Sequence, residues 1–390
     1  MIEFSEKALK IKPFEVMQIL AKAQEMERRG EKVIHLEIGE PDFDTPKCIR
    51  DEAIKAMERG FTHYSDSKGV LELREALADH VGDFSSLSID PNKNILVTGG
   101  VSLGLLFALS TITNPGDEVM ITDPTYPCYE NFVKYVDAVP IGIEVYEEDD
   151  FKLDIDNLER AISEKTKAIL LNSPSNPTGM FFELSELEEV VEIASKKGIY
   201  VIVDEIYSGL VYDRKRSPSI LETGYGNAIM LDGFSKLYAM TGWRLGYAIS
   251  NVEVIQQMLK LQQNFYICPS PFAQIAAIKA LCEAEEDVKK MVEEFDKRRK
   301  FIVEKINEIK GFKTREPKGA YYVFTNVKTI SDDSTELANF ILDEAKVAVA
   351  PGVSFGSNGE GYLRFSYANS IENIAEGVER IRMALNKFRG

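Results

Sequence analysis

The sequence predicts an α/β protein: a large domain with a mostly parallel central sheet flanked by helices, plus a smaller α+β domain. Three observations carry this. Between about residues 45 and 280, short apolar runs alternate with amphipathic stretches, the pattern of successive βα units. After about residue 281 the texture changes to a long charged helix followed by separate strand candidates. The chain has 390 residues and is 44% hydrophobic, enough for two or three domains and a large buried core. The expected division is residues 1–45 as an N-terminal arm and part of the small domain, 46–280 as the large domain and 281–390 as the small C-terminal domain.

The elements follow in order. Asn94–Thr98 is an apolar strand candidate, Gly99-Gly100 ends it, and an apolar helix runs from about Ser102 to Thr111. Asn114-Pro115-Gly116-Asp117 is a turn before a strand at Glu118–Thr122. Ala168–Leu171 and Ile199–Val203 are two further strands. Between them, Ser185 and Glu188 have the spacing of a capping box for a helix that Gly198 can end. Ala228–Asp232 and Gly246–Ile249 are short buried strands. In the C-terminal part, Val288, Met291, Val292, Phe295 and Ile302 mark one face of a helix. The cluster Lys297-Arg298-Arg299-Lys300 reads as its solvated side. Strands are expected at Ala320–Phe324, Val347–Ala350 and Tyr362–Tyr367.

Composition excludes several classes. With 46 basic against 63 acidic residues, the formal net charge of −17 repels nucleic-acid phosphate and anionic membrane surfaces. Cys48, Cys128, Cys268 and Cys282 form no Cys-x-x-Cys pair, and His35, His63 and His80 have no metal-ligand spacing. No metal site or disulfide framework is expected, and a reducing compartment fits. The N-terminal residues lack the order of a signal peptide and no apolar run reaches ~18 residues. The expected location is the cytoplasm.

Residues suited to chemistry fall at the ends of the strand candidates, where an open α/β sheet binds its ligand. Lys236 lies in the irregular connection between two buried strands. A desolvated or cation-flanked lysine is nucleophilic at neutral pH, and lysine is the side chain that condenses with pyridoxal phosphate. Arg244, eight residues on, can supply the cation and hold a phosphate. At Gly99-Gly100-Val101-Ser102 the backbone can approach a ligand and a helix N-terminus suits a phosphate, although a tight strand–helix turn needs the same glycines. Asp204 ends an apolar run, and a carboxylate there needs a partner, either a protonated pyridine nitrogen or a protein cation. In Asn172–Gly179 two prolines stiffen a loop from which Asn176 can project its amide. Arg364, on an alternating strand, can grip a carboxylate with two parallel hydrogen bonds or serve as an interface charge.

Taken together and in this order, these segments resemble pyridoxal-phosphate-dependent aminotransferases of class I, the fold-type-I group related to aspartate aminotransferase. The motifs are Asn176-Pro177-Thr178-Gly179, Asp204-Glu205-Ile206-Tyr207, Ser235-Lys236 with Met240–Tyr247, and Arg364–Ala368. The likeness extends back to Ile38–Pro46 and so covers nearly the full length. The resemblance implies that Lys236 forms the Schiff base with the cofactor and shuttles the substrate proton. It implies Asp204 as partner of the pyridine nitrogen, and Asn176 and Tyr207 at the ring hydroxyl, with Asn176 also near the substrate carboxylate. Tyr126 would stack on the ring, and Gly100, Val101 and Arg244 would hold the phosphate. Arg364 would clamp the substrate α-carboxylate under the backbone of Gly39. Tyr64 would reach the phosphate of a neighbouring subunit, so the resemblance implies a homodimer with shared sites. The implied reaction moves an amino group from an L-amino acid to a 2-oxo acid, 2-oxoglutarate being the expected acceptor, by a ping-pong route.

Two positions depart from many relatives. Gly233 stands where a phosphate-binding serine is common, and Val101 where some relatives carry a lysine for a distal carboxylate. No arginine in Asn264–Pro269 replaces it. A strict preference for aspartate is therefore not expected, and a neutral, aromatic or otherwise unusual donor stays open. A same-fold lyase or synthase, or a non-catalytic ligand sensor, shares most of these motifs.

Overall fold

A computed structural model describes residues 4–388. Thirteen strands are present among them: β1 (Ile34–His35), β2 (Ile95–Thr98), β3 (Glu118–Asp123), β4 (Val139–Glu144), β5 (Thr166–Asn172), β6 (Tyr200–Asp204), β7 (Ala228–Gly233), β8 (Gly246–Ser250), β9 (Lys313–Thr314), β10 (Tyr322–Asn326), β11 (Val347–Ala348), β12 (Ala350–Pro351) and β13 (Tyr362–Ser366). Seven form the central sheet in the order β2-β8-β7-β6-β5-β3-β4. Only β8 runs antiparallel to its neighbours, so the carboxyl ends of β2, β3, β5, β6 and β7 share one edge. That shared edge is what gathers Gly99, Asn172, Asp204 and Lys236 from distant parts of the sequence.

The inner strands are apolar throughout because both faces are covered. Every residue of β2, β7 and β8 is buried. One core lies under Leu73, Leu77, Leu187, Val190 and Ala276, and another under Leu105, Ala108, Leu109, Val254 and Met258, on helices covering opposite faces. A second, antiparallel sheet, β12-β13-β10-β9, packs against the Glu285–Asn307 helix through Phe295, Ile302, Tyr321, Leu363 and Phe365, and β1 pairs with β11 beside it.

Several expectations are corrected by local physics. The Leu184–Lys197 helix is capped two residues earlier than Ser185 and Glu188 suggest. Glu183 is the N-cap and its N–H donates to Glu186 at 2.7 Å, while Ser185 falls inside the first turn; Gly198 ends the helix at φ 68°. The strand expected from Ala320 begins at Tyr322, because Ala320 has φ 55° and breaks the extended run. The expected Val347–Ala350 strand is two: residues before Val349 pair with β1 and those after it with β13.

The basic cluster is only half solvated. Lys297 and Lys300 are exposed, but Arg298 and Arg299 are 7% and 3% exposed. Arg298 donates to Asp42 at 2.7 Å and lies over the Phe43 ring. Arg299 pairs with Asp296 and Glu316, donates to the Pro317 carbonyl at 2.8 Å and lies over Tyr212. A charge repeat on a helix gives no sign of which cations will find carboxylates across the interface. Arg299→Ala leaves the Pro317 carbonyl and Glu316 without this donor, while Asp296 keeps Lys300, and should destabilise the fold by about 1–3 kcal/mol. Lys297→Ala should stay within about 0.5 kcal/mol. Urea unfolding of the two variants checks this, and equal midpoints would contradict it.

Candidate active site

A cavity of about 330 Å³ opens at the carboxyl edge of the central sheet, closed on its other side by β10, β13 and the helix Glu15–Arg28. Asp204, at the end of β6, is 6% exposed. Tyr129 donates to its Oδ2 at 2.7 Å and the Ile206 N–H to its Oδ1 at 3.1 Å. Burial pushes its pKa up to about 6, against those two hydrogen bonds and the attraction of Lys236. A carboxylate so poised keeps its charge best beside a new cation.

Lys236 follows β7 and donates from Nζ to the Gly39 carbonyl at 2.6 Å. Burial lowers its pKa to about 8; Glu40 opposes this, and the cations Arg364 and Arg244 add to it. A substantial fraction of the amine is therefore uncharged, and nucleophilic, near neutral pH.

At the far end, Gly100 has φ 86°, and a Cβ there would come within 2.9 Å of Arg244 Nη2. Glycine thus lets the guanidinium lie against the backbone where the Val101–Ile112 helix begins. Arg244 is fixed by donating to the Thr241 carbonyl at 2.8 Å, and the hydroxyl-bearing residues Ser102 and Ser235 line the same end. This group suits a phosphate, and Ser102 and Ser235 offer the hydroxyl that Gly233 lacks.

Arg364, on β13, is 2% exposed. It donates to Asn176 Oδ1 at 3.0 Å and to the Glu37 carbonyl, while its buried Nε has no hydrogen-bond partner among the described residues. Its guanidinium lies 4.5 Å from the centre of the Tyr322 ring. The spare donor capacity is that of an anion clamp.

The cavity brings together Gly39, Val101, Tyr126, Asn176, Asp204, Tyr207, Lys236, Arg244 and Arg364, with Gly100 packed behind Arg244. It does not bring in Tyr64, which stands 81% exposed outside it. Asn176 faces Arg364, so its contact lies at the clamp. Two residues missed in the sequence are Tyr129, the donor to Asp204, and Tyr322, whose hydroxyl oxygen lies 2.9 Å from that of Tyr207. Tyr129 lies in the first turn of the Cys128–Tyr135 helix and its ring meets that of Tyr126 edge-on at 5.4 Å; no motif marked it. The N-terminal helix contributes Val16, Met17 and Leu20, preceded by Phe14, and no motif marked these.

A carboxylate needing a cation, a lysine with a depressed pKa, and a glycine–arginine phosphate cradle make a site that fits pyridoxal phosphate. Residues 31–381 match the model of aminotransferase class I and II. The chain belongs to that family. It is 49% identical over 385 residues to the (5-formylfuran-3-yl)methyl phosphate transaminase of Methanocaldococcus jannaschii, covering 98% of this chain and 100% of that protein. It is 41% identical to an aspartate aminotransferase of Pyrococcus abyssi, over 91% of this chain and 92% of that one. Among solved structures it resembles, at TM-score 0.90 and 48% identity over 98% of this chain and 100% of that one, a Methanococcus jannaschii protein described as similar in its active site to kynurenine aminotransferases. The lyase and sensor alternatives give way: this is a pyridoxal-phosphate-dependent aminotransferase acting on amino acids and 2-oxo acids.

The lowered pKa of Lys236 has a direct readout. The rate at which cofactor-free protein takes up pyridoxal phosphate should rise about tenfold per pH unit below about 8, where the amine deprotonates, and level off above it. Stopped-flow absorbance across that range measures it; a midpoint above 10 would contradict the depressed pKa.

Proposed function

We propose that this aminotransferase takes its amino group from L-amino acids with an apolar, ring-bearing side chain and passes it to a 2-oxo acid, 2-oxoglutarate among them. The observation that carries this is the apolar share of the cavity wall. Phe14, Val16, Met17, Leu20, Leu105 and Phe132 line it, and the only cations in the lining among the described residues are Lys236, Arg244 and Arg364. Each has a role at the cofactor or the α-carboxylate, so this chain's own lining leaves no guanidinium for a second carboxylate of an aspartate donor. Met17, 51% exposed, forms the mouth, through which the longer tail of 2-oxoglutarate reaches solvent.

Pyridoxal phosphate supplies an aldehyde and an electron-accepting pyridinium ring. Asp204 holds the proton on the ring nitrogen, and Tyr129 keeps Asp204 oriented. Tyr207 would donate to the ring oxygen, and Asn176, held at Arg364, would assist there. Tyr126 packs on the ring, supported edge-on by Phe14 and Tyr129. Gly100, Val101 and Arg244 hold the phosphate. Arg364 binds the substrate carboxylate beneath Gly39. Lys236 would be the base that moves the proton of the substrate α-carbon.

A homodimer with shared sites fits the exposed aromatic and apolar residues beside the phosphate end. Tyr64, Phe265 and Ile267 are 81%, 76% and 42% exposed. Their segments adjoin, since Gln262 donates to the Ser67 carbonyl and Gln274 to Ser65 Oγ at 3.2 Å. Tyr64 then serves the partner's phosphate. A cytoplasmic, reducing location fits the four free cysteines, and no helix among the described residues is long and apolar enough to cross a membrane.

A second reading has one support: the spare donors of Arg364 fit a phosphate as well as a carboxylate, so a ring-bearing aldehyde phosphate, like the one in the name of the Methanocaldococcus relative, belongs among the acceptors tried. The test is a panel of donors mixed singly with the loaded enzyme, followed by the absorbance change from aldehyde to amine form and its reversal by 2-oxoglutarate. Phenylalanine, tyrosine or a similar ring-bearing donor should exceed aspartate in kcat/KM by about tenfold or more. Faster conversion of aspartate would overturn the assignment.

A further inference from the structure

Tyr322 touches three groups that act at different moments, and none of the motifs includes it. It is 1% exposed and lines the cavity. Its hydroxyl oxygen lies 2.9 Å from that of Tyr207. Its ring face carries the Arg364 guanidinium at 4.5 Å, a contact set by the sheet: Tyr322 pairs across the β10–β13 ladder with Ser366, which puts Arg364 at the diagonal position. Its hydroxyl also abuts Gly39 so closely that a Cβ there would lie 2.3 Å away, and the Gly39 carbonyl is the acceptor of Lys236.

A hydroxyl donates one proton at a time. If Tyr322 donates to Tyr207, the proton of Tyr207 is free for an acceptor in the cavity; in the opposite orientation it is spent on Tyr322. A cation over the Tyr322 ring withdraws electron density and makes its O–H the better donor, which favours the first arrangement. When a substrate carboxylate neutralises Arg364, that bias weakens.

We infer that Tyr322 is a positioning residue that couples carboxylate capture at Arg364 to the hydrogen bond Tyr207 offers the cofactor ring. The inference rests on the assignments of Arg364 and Tyr207 made above. Binding of the carboxylate end of a substrate is thereby registered at the ring oxygen before any bond to the substrate changes. Tyr322→Phe keeps the ring under the guanidinium and removes only the relay.

The experiment is a pH titration of the absorbance of the loaded enzyme, with and without saturating 3-phenylpropionate, a carboxylate that has no amino group and cannot react. In the parent protein the probe should displace the midpoint. In Tyr322→Phe the midpoint without probe should shift by more than about half a pH unit, and the displacement caused by the probe should fall to less than half the parent value. The probe's dissociation constant should stay within about threefold, because Arg364 and the ring beneath it remain. An unchanged displacement in Tyr322→Phe overturns the coupling.

Should Tyr322→Phe fail to accumulate folded, Tyr207→Phe tests the same link from its other end. Its displacement should shrink likewise, and a full-sized displacement there overturns the inference. If the probe binds Arg364→Leu as tightly as it binds the parent, the clamp assignment itself has failed, an outcome distinct from loss of the relay.

Discussion

A carboxylate at the end of a buried strand sets the terms for the rest of the molecule. Asp204 lies where β6 leaves the sheet, between Asn172 on one side and the Lys236 connection on the other, and water reaches little of it. Removing a charge from water costs several kcal/mol unless hydrogen bonds and an opposite charge replace the lost solvation. Tyr129 and the Ile206 N–H supply two hydrogen bonds, and the nearest cation, Lys236, is itself held by Gly39. The protein alone leaves the carboxylate short of a counter-charge, and in the proposed function a pyridinium nitrogen supplies it. The same burial that raises the Asp204 pKa lowers that of Lys236, so a single low-dielectric pocket prepares both the ring's anchor and its nucleophile.

The two sheets divide the labour. The central sheet offers Asp204, Lys236, Asn176 and the Gly100–Arg244 cradle from one edge, so in the proposed function the cofactor would rest on a rigid scaffold. The second sheet offers Arg364 and Tyr322, and the segment after β1 offers Gly39, so the substrate end rests on elements far away in sequence. Contacts between the halves are made by the reactive residues themselves: Lys236 with Gly39, Asn176 with Arg364, Tyr207 with Tyr322. The active site is also part of what holds the two sheets together.

Much of this was legible in the sequence, for physical reasons that can be named. β5, β6, β7 and β8 are covered on both faces, so they read as unbroken apolar runs, and the polar residues at or just after the ends of β5, β6 and β7 marked the site. Asp204, Asn176, Lys236 and Arg364 stood out because a charge, an amide between prolines or an amine at a strand end has few structural uses. Tyr129 and Tyr322 did not stand out, since a buried tyrosine in a helix or strand looks like core until its hydroxyl's partner is known. Arg298 and Arg299 were misread for the converse reason: most of their carboxylates and aromatic faces lie on other segments, Asp42, Glu316 and Tyr212 among them, that the helix's own sequence does not reveal. The apolar wall from the Glu15–Arg28 helix was invisible because its amphipathic pattern is the same whether the inner face meets protein or substrate.

The central claim is that Asp204 keeps the cofactor's ring nitrogen protonated. The nitrogen-15 chemical shift of pyridoxal phosphate labelled at that nitrogen, bound to the parent protein and to Asp204→Ala, reads this proton directly. The account predicts a protonated nitrogen in the parent from about pH 6 to 9, and a nitrogen that loses its proton near neutral pH in the variant. An unprotonated nitrogen in the parent at neutral pH, or identical shifts in the two proteins, would contradict it.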